Sequence, residues 1–112
     1  MVKTFKQFLK EANENSKPIP TQNNAFGFYG ELHTIFDGDE KKMKSVWNEA
    51  FNLISDISNL SSKQIRDILD SKSGRWMADE FYSDIEKDNL SKAFKQKFDN
   101  FDKFKKWFSV KI

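Results

Sequence analysis

Cysteine is absent from the chain, and histidine occurs only once. Without cysteine there is no disulfide, no thiol nucleophile and almost no means of building a structural zinc site. His33 is the only imidazole, so it cannot assemble a metal centre with other histidines. No apolar run approaches the roughly 20 residues that span a bilayer, and no secretory hydrophobic core follows Met1. We therefore expect a cytosolic or virion-internal protein that is not an integral membrane protein.

Aromatic residues and charges are abundant instead. The 112 residues fit a single domain, for which twelve Phe and three Trp supply a core. Charged residues make up 32% of the chain and the net charge is +2, but the two signs are segregated. Residues 31–88 carry eight basic and thirteen acidic side chains, whereas residues 90–112 carry seven Lys and two Asp. Such a basic end can contact phosphates, pair with the acidic middle of its own fold, or stay solvated.

The spacing of apolar residues predicts an all-α protein, a bundle of about five helices without a sheet. Apolar residues repeat at helical spacing over residues 3–13, and Pro18 and Pro20 interrupt the chain after them. We therefore assign residues 1–20 to an N-terminal amphipathic helix and a linker, and residues 21–112 to a single helical domain.

Three helices of the predicted domain have clear sequence signals. Asp39 precedes the clearest one, in which apolar residues recur three or four positions apart from Met43 to Ile57. Ser61 and Gln64 have the spacing of a capping box and predict the start of the next helix. The last predicted helix runs from Leu90 to Phe108, with one face of Phe opposite lysines.

The segment 70–80 combines a glycine, a tryptophan and several charges in eleven residues. One interpretation is structural: Asp70 and Ser71 end one helix, which Gly74 closes or bends, Ser73 caps the next, and Arg75 pairs with Asp79 four residues later. The other is a recognition surface for a protein partner, because Arg beside aromatic residues is typical of binding hot spots. Both interpretations remain open. The residues assigned to that surface are Asp70, Ser71, Arg75, Asp79, Glu80, Phe28 and Tyr29.

The basic end of the chain is a second candidate surface. Its lysines and a tryptophan can contact a nucleic acid, but no arginine lies among them, so we expect binding that is non-specific and sensitive to salt. The alternative is a solvated face over the Phe core. The residues assigned to nucleic acid are Lys95, Lys103, Lys105, Lys106 and Trp107.

Catalysis is not expected from this sequence. Asp70 and Asp79 are carboxylates that can hold Mg²⁺ or exchange protons, but their spacing matches no catalytic pattern. No nucleophile has an adjacent base. The run Asp37-Gly38-Asp39 lacks the remaining ligands of an EF-hand calcium loop. We therefore expect no enzymatic activity, no cofactor and no metal.

The first twelve residues, Met1 to Ala12, carry a Lys-Thr-Phe opening and the tripeptide Leu9-Lys10-Glu11. They resemble the capsid-targeting segment of internal head proteins of T-even-type tailed phages, although the inserted Val2 departs from its usual start. The resemblance implies cleavage by the prohead protease after Glu11, with Ala12 as the new first residue. The alternative is an ordinary amphipathic helix at the N-terminus.

Two further elements are Asn-Ala-Phe-Gly-Phe-Tyr-Gly at residues 24–30 and Leu-Asp-Ser-Lys-Ser-Gly-Arg-Trp-Met-Ala-Asp at residues 69–79. In this order and spacing they are similar to an uncharacterised family of small proteins found on phages and conjugative plasmids. Members often have His where this chain has Ser73 and Trp76, which argues against a shared histidine-dependent reaction. Membership of this family would imply no established activity. The occurrence of such proteins on mobile DNA implies a role when that DNA enters a new host.

Together these features predict a phage-encoded binding protein. The most concrete hypothesis is a protein that is packaged in the head, injected with the DNA, and inhibits a host defence or regulatory factor through the acidic middle of the chain. One alternative is an early phage protein that is not packaged and binds a host protein or nucleic acid, and another is a structural or assembly component of the virion. The expected partner is a host protein, in the host cytoplasm after infection, with the virion interior as the earlier location.

Overall fold

The computed structural model describes residues 27–111 of the chain, and those residues form helices without any strand. The predicted all-α class is therefore confirmed. The predicted helix and linker at residues 1–20, with the cleavage site at Leu9, Glu11 and Ala12, lie outside the described residues. The helices are α1 (Phe28–Phe36), α2 (Glu40–Ile57), α3 (Ser62–Asp70), α4 (Lys72–Glu80), α5 (Tyr82–Glu86), α6 (Leu90–Lys97) and α7 (Phe101–Lys111).

Helix α2 is the longest and packs against α1, α3 and α6. The predicted helix start is confirmed, and the Asp39 side chain caps it by accepting a hydrogen bond from the Lys42 backbone N–H at 3.3 Å. The predicted apolar stripe is buried, with Met43, Trp47 and Ile54 at most 1% exposed.

Helix α3 begins with the predicted capping box. The Ser61 hydroxyl oxygen accepts from the Gln64 backbone N–H at 3.2 Å, and Gln64 Oε1 accepts from the Ser61 backbone N–H at 2.9 Å. Two of the amides that lack partners inside a helix are thereby satisfied. Ile65 and Leu69 then face the core.

The predicted last helix, Leu90 to Phe108, is wrong as a single element. Phe98 leaves helical geometry (φ −121°, ψ 71°), and Asn100 Oδ1 accepts from the Lys103 backbone N–H at 3.0 Å to start α7. The resulting corner gathers the phenylalanines into a cluster rather than a straight stripe. The ring centroids of Phe94 and Phe98 are 5.1 Å apart, and those of Phe98 and Phe104 are 5.3 Å apart.

The sequence also predicts one helical apolar stripe through Trp76, Met77, Phe81 and Ile85. The structure divides it, because Phe81 (φ −112°, ψ 23°) separates α4 from α5. With these two breaks, residues 27–111 contain seven helices, more than the about five that the sequence predicts.

One apolar core joins all seven helices of the described region. None of these helices is both long enough and apolar enough to cross a membrane. The buried residues contributed by successive helices include Phe28, Trp47, Leu69, Met77, Ile85, Phe94 and Phe104.

Candidate functional site

Ser71 connects α3 to α4 without an intervening loop. Its hydroxyl donates to the Ile68 carbonyl oxygen at 2.6 Å and accepts from the Ser73 backbone N–H at 3.1 Å. One side chain therefore closes α3 and caps α4. The prediction that the first helix ends at Asp70 and Ser71 is confirmed. The predictions that Ser73 caps the second helix and that Gly74 closes or bends the first are wrong, because the Ser71 side chain caps α4 two residues before Ser73.

Ser73 is instead buried in the first turn of α4, where it is 1% exposed. Its hydroxyl has no hydrogen-bond partner among the described residues. An unpaired buried hydroxyl carries a desolvation cost, so this position tolerates the polar group rather than using it for stability.

Two glycines pack directly on the end of α3. A Cβ on Gly74 would lie 2.1 Å from the Leu69 carbonyl oxygen, and a Cβ on Gly27 would lie 2.9 Å from the Asp70 Cα. Both distances are shorter than any side-chain carbon tolerates, so only glycine fits either position. The two sequence elements around residues 24–30 and 69–79 therefore meet at one point of the backbone.

Arg75 reinforces this junction from the surface. Its Nε lies 2.9 Å from Glu31 Oε1, which joins α4 to α1, and the two side chains are 46% and 22% exposed. The predicted pair of Arg75 with Asp79 is wrong, because the guanidinium turns across to α1 instead of along its own helix. Sequence reasoning missed Glu31, since no local spacing links positions 31 and 75.

The outer face of α4 continues beyond Arg75. Asp79 is exposed, and Glu80 Oε2 lies 3.1 Å from Lys97 Nζ at the end of α6. Tyr82 follows and is 44% exposed, one of the few large apolar side chains on the described surface. Sequence reasoning also missed Tyr82, because no pattern distinguishes it from the buried aromatic residues.

Phe28 and Tyr29 do not belong to a recognition surface, which corrects their prediction as partner-binding residues. They are 0% and 4% exposed and lie in the core on the inner side of α1. Burial, with a smaller effect of the nearby Glu40 charge, raises the pKa of the Tyr29 hydroxyl above 10.0. That hydroxyl has no hydrogen-bond partner within the part of the chain that the structure describes.

At the lysine-rich end of the chain, two of the side chains predicted to contact nucleic acid already contact other residues of the protein. Lys103 Nζ lies 2.9 Å from Asp99 Oδ1, and Trp107 is half-buried with its ring centroid 5.4 Å from that of Phe98. Trp107 is thus committed to packing, whereas Lys105 and Lys106 are exposed. The arrangement leaves a basic face without a free stacking platform, which weakens the nucleic-acid interpretation.

A polar groove of about 450 Å³ lies between α2 and α6. Inside it the Ser91 hydroxyl donates to Glu49 Oε2, and the buried Asn48 Oδ1 has no partner among the described residues. Lys95, assigned above to nucleic acid, lines this groove and not the α7 face. The mixture of opposite charges and amides identifies no ligand class.

Across residues 27–111 no three carboxylate or imidazole side chains converge as a metal site would require. Comparisons of the chain with protein-family models, with curated proteins and with solved structures find no match.

Proposed function

We propose that this chain is a non-enzymatic protein that binds a host protein through the outer face of α4. We define this α4 face by Arg75, Asp79 and Glu80 of α4, together with Tyr82, the first residue of α5. The observation that carries the proposal is the state of Arg75. Its Nε lies 2.9 Å from Glu31 Oε1, while the Arg75 side chain is 46% exposed.

An arginine held in this way is suited to recognition. The free end of a guanidinium forms two parallel hydrogen bonds to a carboxylate, and a residue already fixed at one nitrogen loses less freedom on binding. Tyr82 adds an exposed aromatic surface, and Tyr and Arg are the residues most enriched in binding hot spots. The α4 face therefore fits a protein partner with an acidic group beside an apolar surface.

The biological setting of the proposal comes from the two resemblances. We propose a phage protein that is packaged by residues 1–11, cut after Glu11, injected, and directed against a host defence or regulatory factor in the host cytoplasm. Mass spectrometry of mature virions tests the packaging step. A chain beginning at Ala12 is expected in heads. Absence of the protein from heads would contradict packaging and favour a non-packaged early protein, whereas an uncut chain in heads would favour a virion component.

Affinity purification from host cells tests the α4 face. Arg75→Ala should reduce recovery of the partner by roughly 30-fold, the effect of losing a hot-spot residue of about 2 kcal/mol. Arg66→Ala is the matched control, since it removes an exposed arginine from α3, and it should leave recovery unchanged. Equal recovery by wild type and Arg75→Ala would contradict the proposal.

The variant Glu31→Gln distinguishes direct binding of the partner by Arg75 from a purely structural role of the Arg75–Glu31 pair. It removes the charge that holds Arg75 but leaves the guanidinium in place, so recovery should fall by less than with Arg75→Ala. If Glu31→Gln and Arg75→Ala lose the partner equally, Arg75 acts only by holding α4 to α1.

A further inference from the structure

An open groove of about 280 Å³ lies where α3, α4 and α7 meet. Its accessible walls are largely apolar, and Ile68 and Phe108 are only partly buried although both side chains are large and apolar. Small-molecule sites have volumes of roughly 300 to 1,000 Å³, so this groove is near the lower end of that range. The residues that line the groove are Asp67, Ile68, Ser71, Lys72, Ser73 and Phe108.

The N-terminus of α4 lies at this groove. Helix α4 begins at Lys72, and both Lys72 and Ser73 line the groove. The first turn of a helix carries a partial positive charge, to which the Lys72 ammonium group adds a full charge. Asp67 is the only acidic residue in the groove lining, and its Oδ2 lies 3.1 Å from Lys63 Nζ, which balances its charge. The groove therefore favours an anionic ligand.

The Ser73 hydroxyl is a second and independent indication of a ligand. Ser73 is 1% exposed, and its Oγ has no hydrogen-bond partner among the described residues. Buried hydroxyl groups nearly always have a partner, and a ligand oxygen in the groove that Ser73 lines would supply one. The hydroxyl can donate to a carboxylate, and a hydrogen bond to a charged group becomes stronger where water is excluded.

We propose that this groove binds a small organic acid that combines one carboxylate with an apolar chain or ring. The carboxylate accepts a hydrogen bond from the Ser73 hydroxyl at the N-terminus of α4, and the apolar part packs against Ile68 and Phe108. One negative charge matches the single lysine of the lining, whereas Asp67 would repel the second negative charge of a phosphate ester. The proposal is independent of the partner of the α4 face.

Titration of the ¹⁵N-labelled full chain with hexanoate at neutral pH, followed by NMR, tests the proposal. The amide signals of residues 71–73 should shift and saturate. Hexanamide and hexylammonium carry a similar apolar chain without the negative charge, and both should bind at least about tenfold more weakly. No saturable shift of residues 71–73, or equal binding of the three compounds, would overturn the proposal. Tighter binding of hexyl phosphate than of hexanoate would also overturn it.

A pair of serine variants tests the role of the buried hydroxyl. Ser73→Ala should weaken hexanoate binding about tenfold, because it removes one hydrogen bond to a charged group. Ser83→Ala is the matched control, since Ser83 is exposed on α5 and does not line the groove, and it should leave the Kd unchanged. Urea unfolding checks that both variants are folded. Equal affinity of wild type and folded Ser73→Ala for hexanoate would overturn the proposal.

Discussion

Replacing Gly74 with alanine should destabilise the protein, although the same change stabilises most helices. Gly74 is the third residue of α4, and inside a helix alanine is favoured over glycine by about 1 kcal/mol. Here the added methyl group would lie 2.1 Å from the Leu69 carbonyl oxygen and 2.7 Å from its carbonyl carbon. Both are backbone atoms, so no rotation of a side chain relieves the overlap.

The size of the effect follows from the required movement. Side-chain carbons stay beyond 3.0 Å from such atoms, so α3 and α4 must separate by about 1 Å at their shared corner. That movement also disturbs the Ser71 cap and the contact of Gly27 with Asp70. Overpacking of this kind costs about 1 to 3 kcal/mol or more. After subtracting the gain in helix propensity, we expect a net loss of about 2 kcal/mol.

Urea unfolding followed by the fluorescence of the buried tryptophan Trp47 measures this loss. Ser73→Ala is the matched control, one residue away. It keeps the Cβ and removes a buried hydroxyl without a partner in the described region, so stability should stay equal or rise by up to about 1 kcal/mol. A Gly74→Ala variant as stable as wild type, or more stable, would refute the steric argument.

Three further perturbations test other parts of the structure. Arg75→Ala and Glu31→Gln should each lower the unfolding free energy by less than about 1 kcal/mol, because both side chains of the pair are partly exposed to solvent. A larger loss in chemical denaturation would show a structural role that outweighs recognition. Burial raises the pKa of Tyr29 in the folded state, so the stabilisation from its neutral hydroxyl is complete below pH 10.0 and is lost as the pH rises through the folded-state pKa. Tyr29→Phe should therefore lose less unfolding free energy at alkaline pH than wild type. An unchanged pH profile of stability would argue against burial of the hydroxyl. Asn100→Ala removes the cap of α7 and should cost about 1 kcal/mol in thermal unfolding, whereas no loss would show that the corner does not need the cap.

Much of the fold follows from local patterns in the sequence. The cap at Asp39, the capping box at Ser61 and the apolar stripe of α2 were all predictable, because each depends on residues within a few positions of one another. The division of the last helix was not, because the apolar period continues through Phe98 and only tertiary packing turns the chain there.

The candidate site was less predictable for a related reason. The density of charges around Gly74 singles out this segment as a candidate site. It does not show that Gly27 and Gly74 both pack against the backbone of Leu69 and Asp70. The partner of Arg75 lies on another helix, so helical spacing pointed wrongly to Asp79. The sequence interpretation places Phe28 and Tyr29 on a recognition surface, whereas both side chains are buried in the core. The sequence of a short helix shows that it carries aromatic residues, but not which side of the helix packs against the other helices.

The most direct test of binding through α4 is site-specific photo-crosslinking in host cells. A photo-reactive phenylalanine analogue replaces Tyr82 on the α4 face or, as the control, Lys44 on the exposed side of α2. The account predicts one dominant crosslink to a host protein from position 82, its loss when Arg75→Ala is added, and no such crosslink from position 44. A crosslink from position 82 that persists with Arg75→Ala, or equal crosslinks from both positions, would contradict recognition through the α4 face.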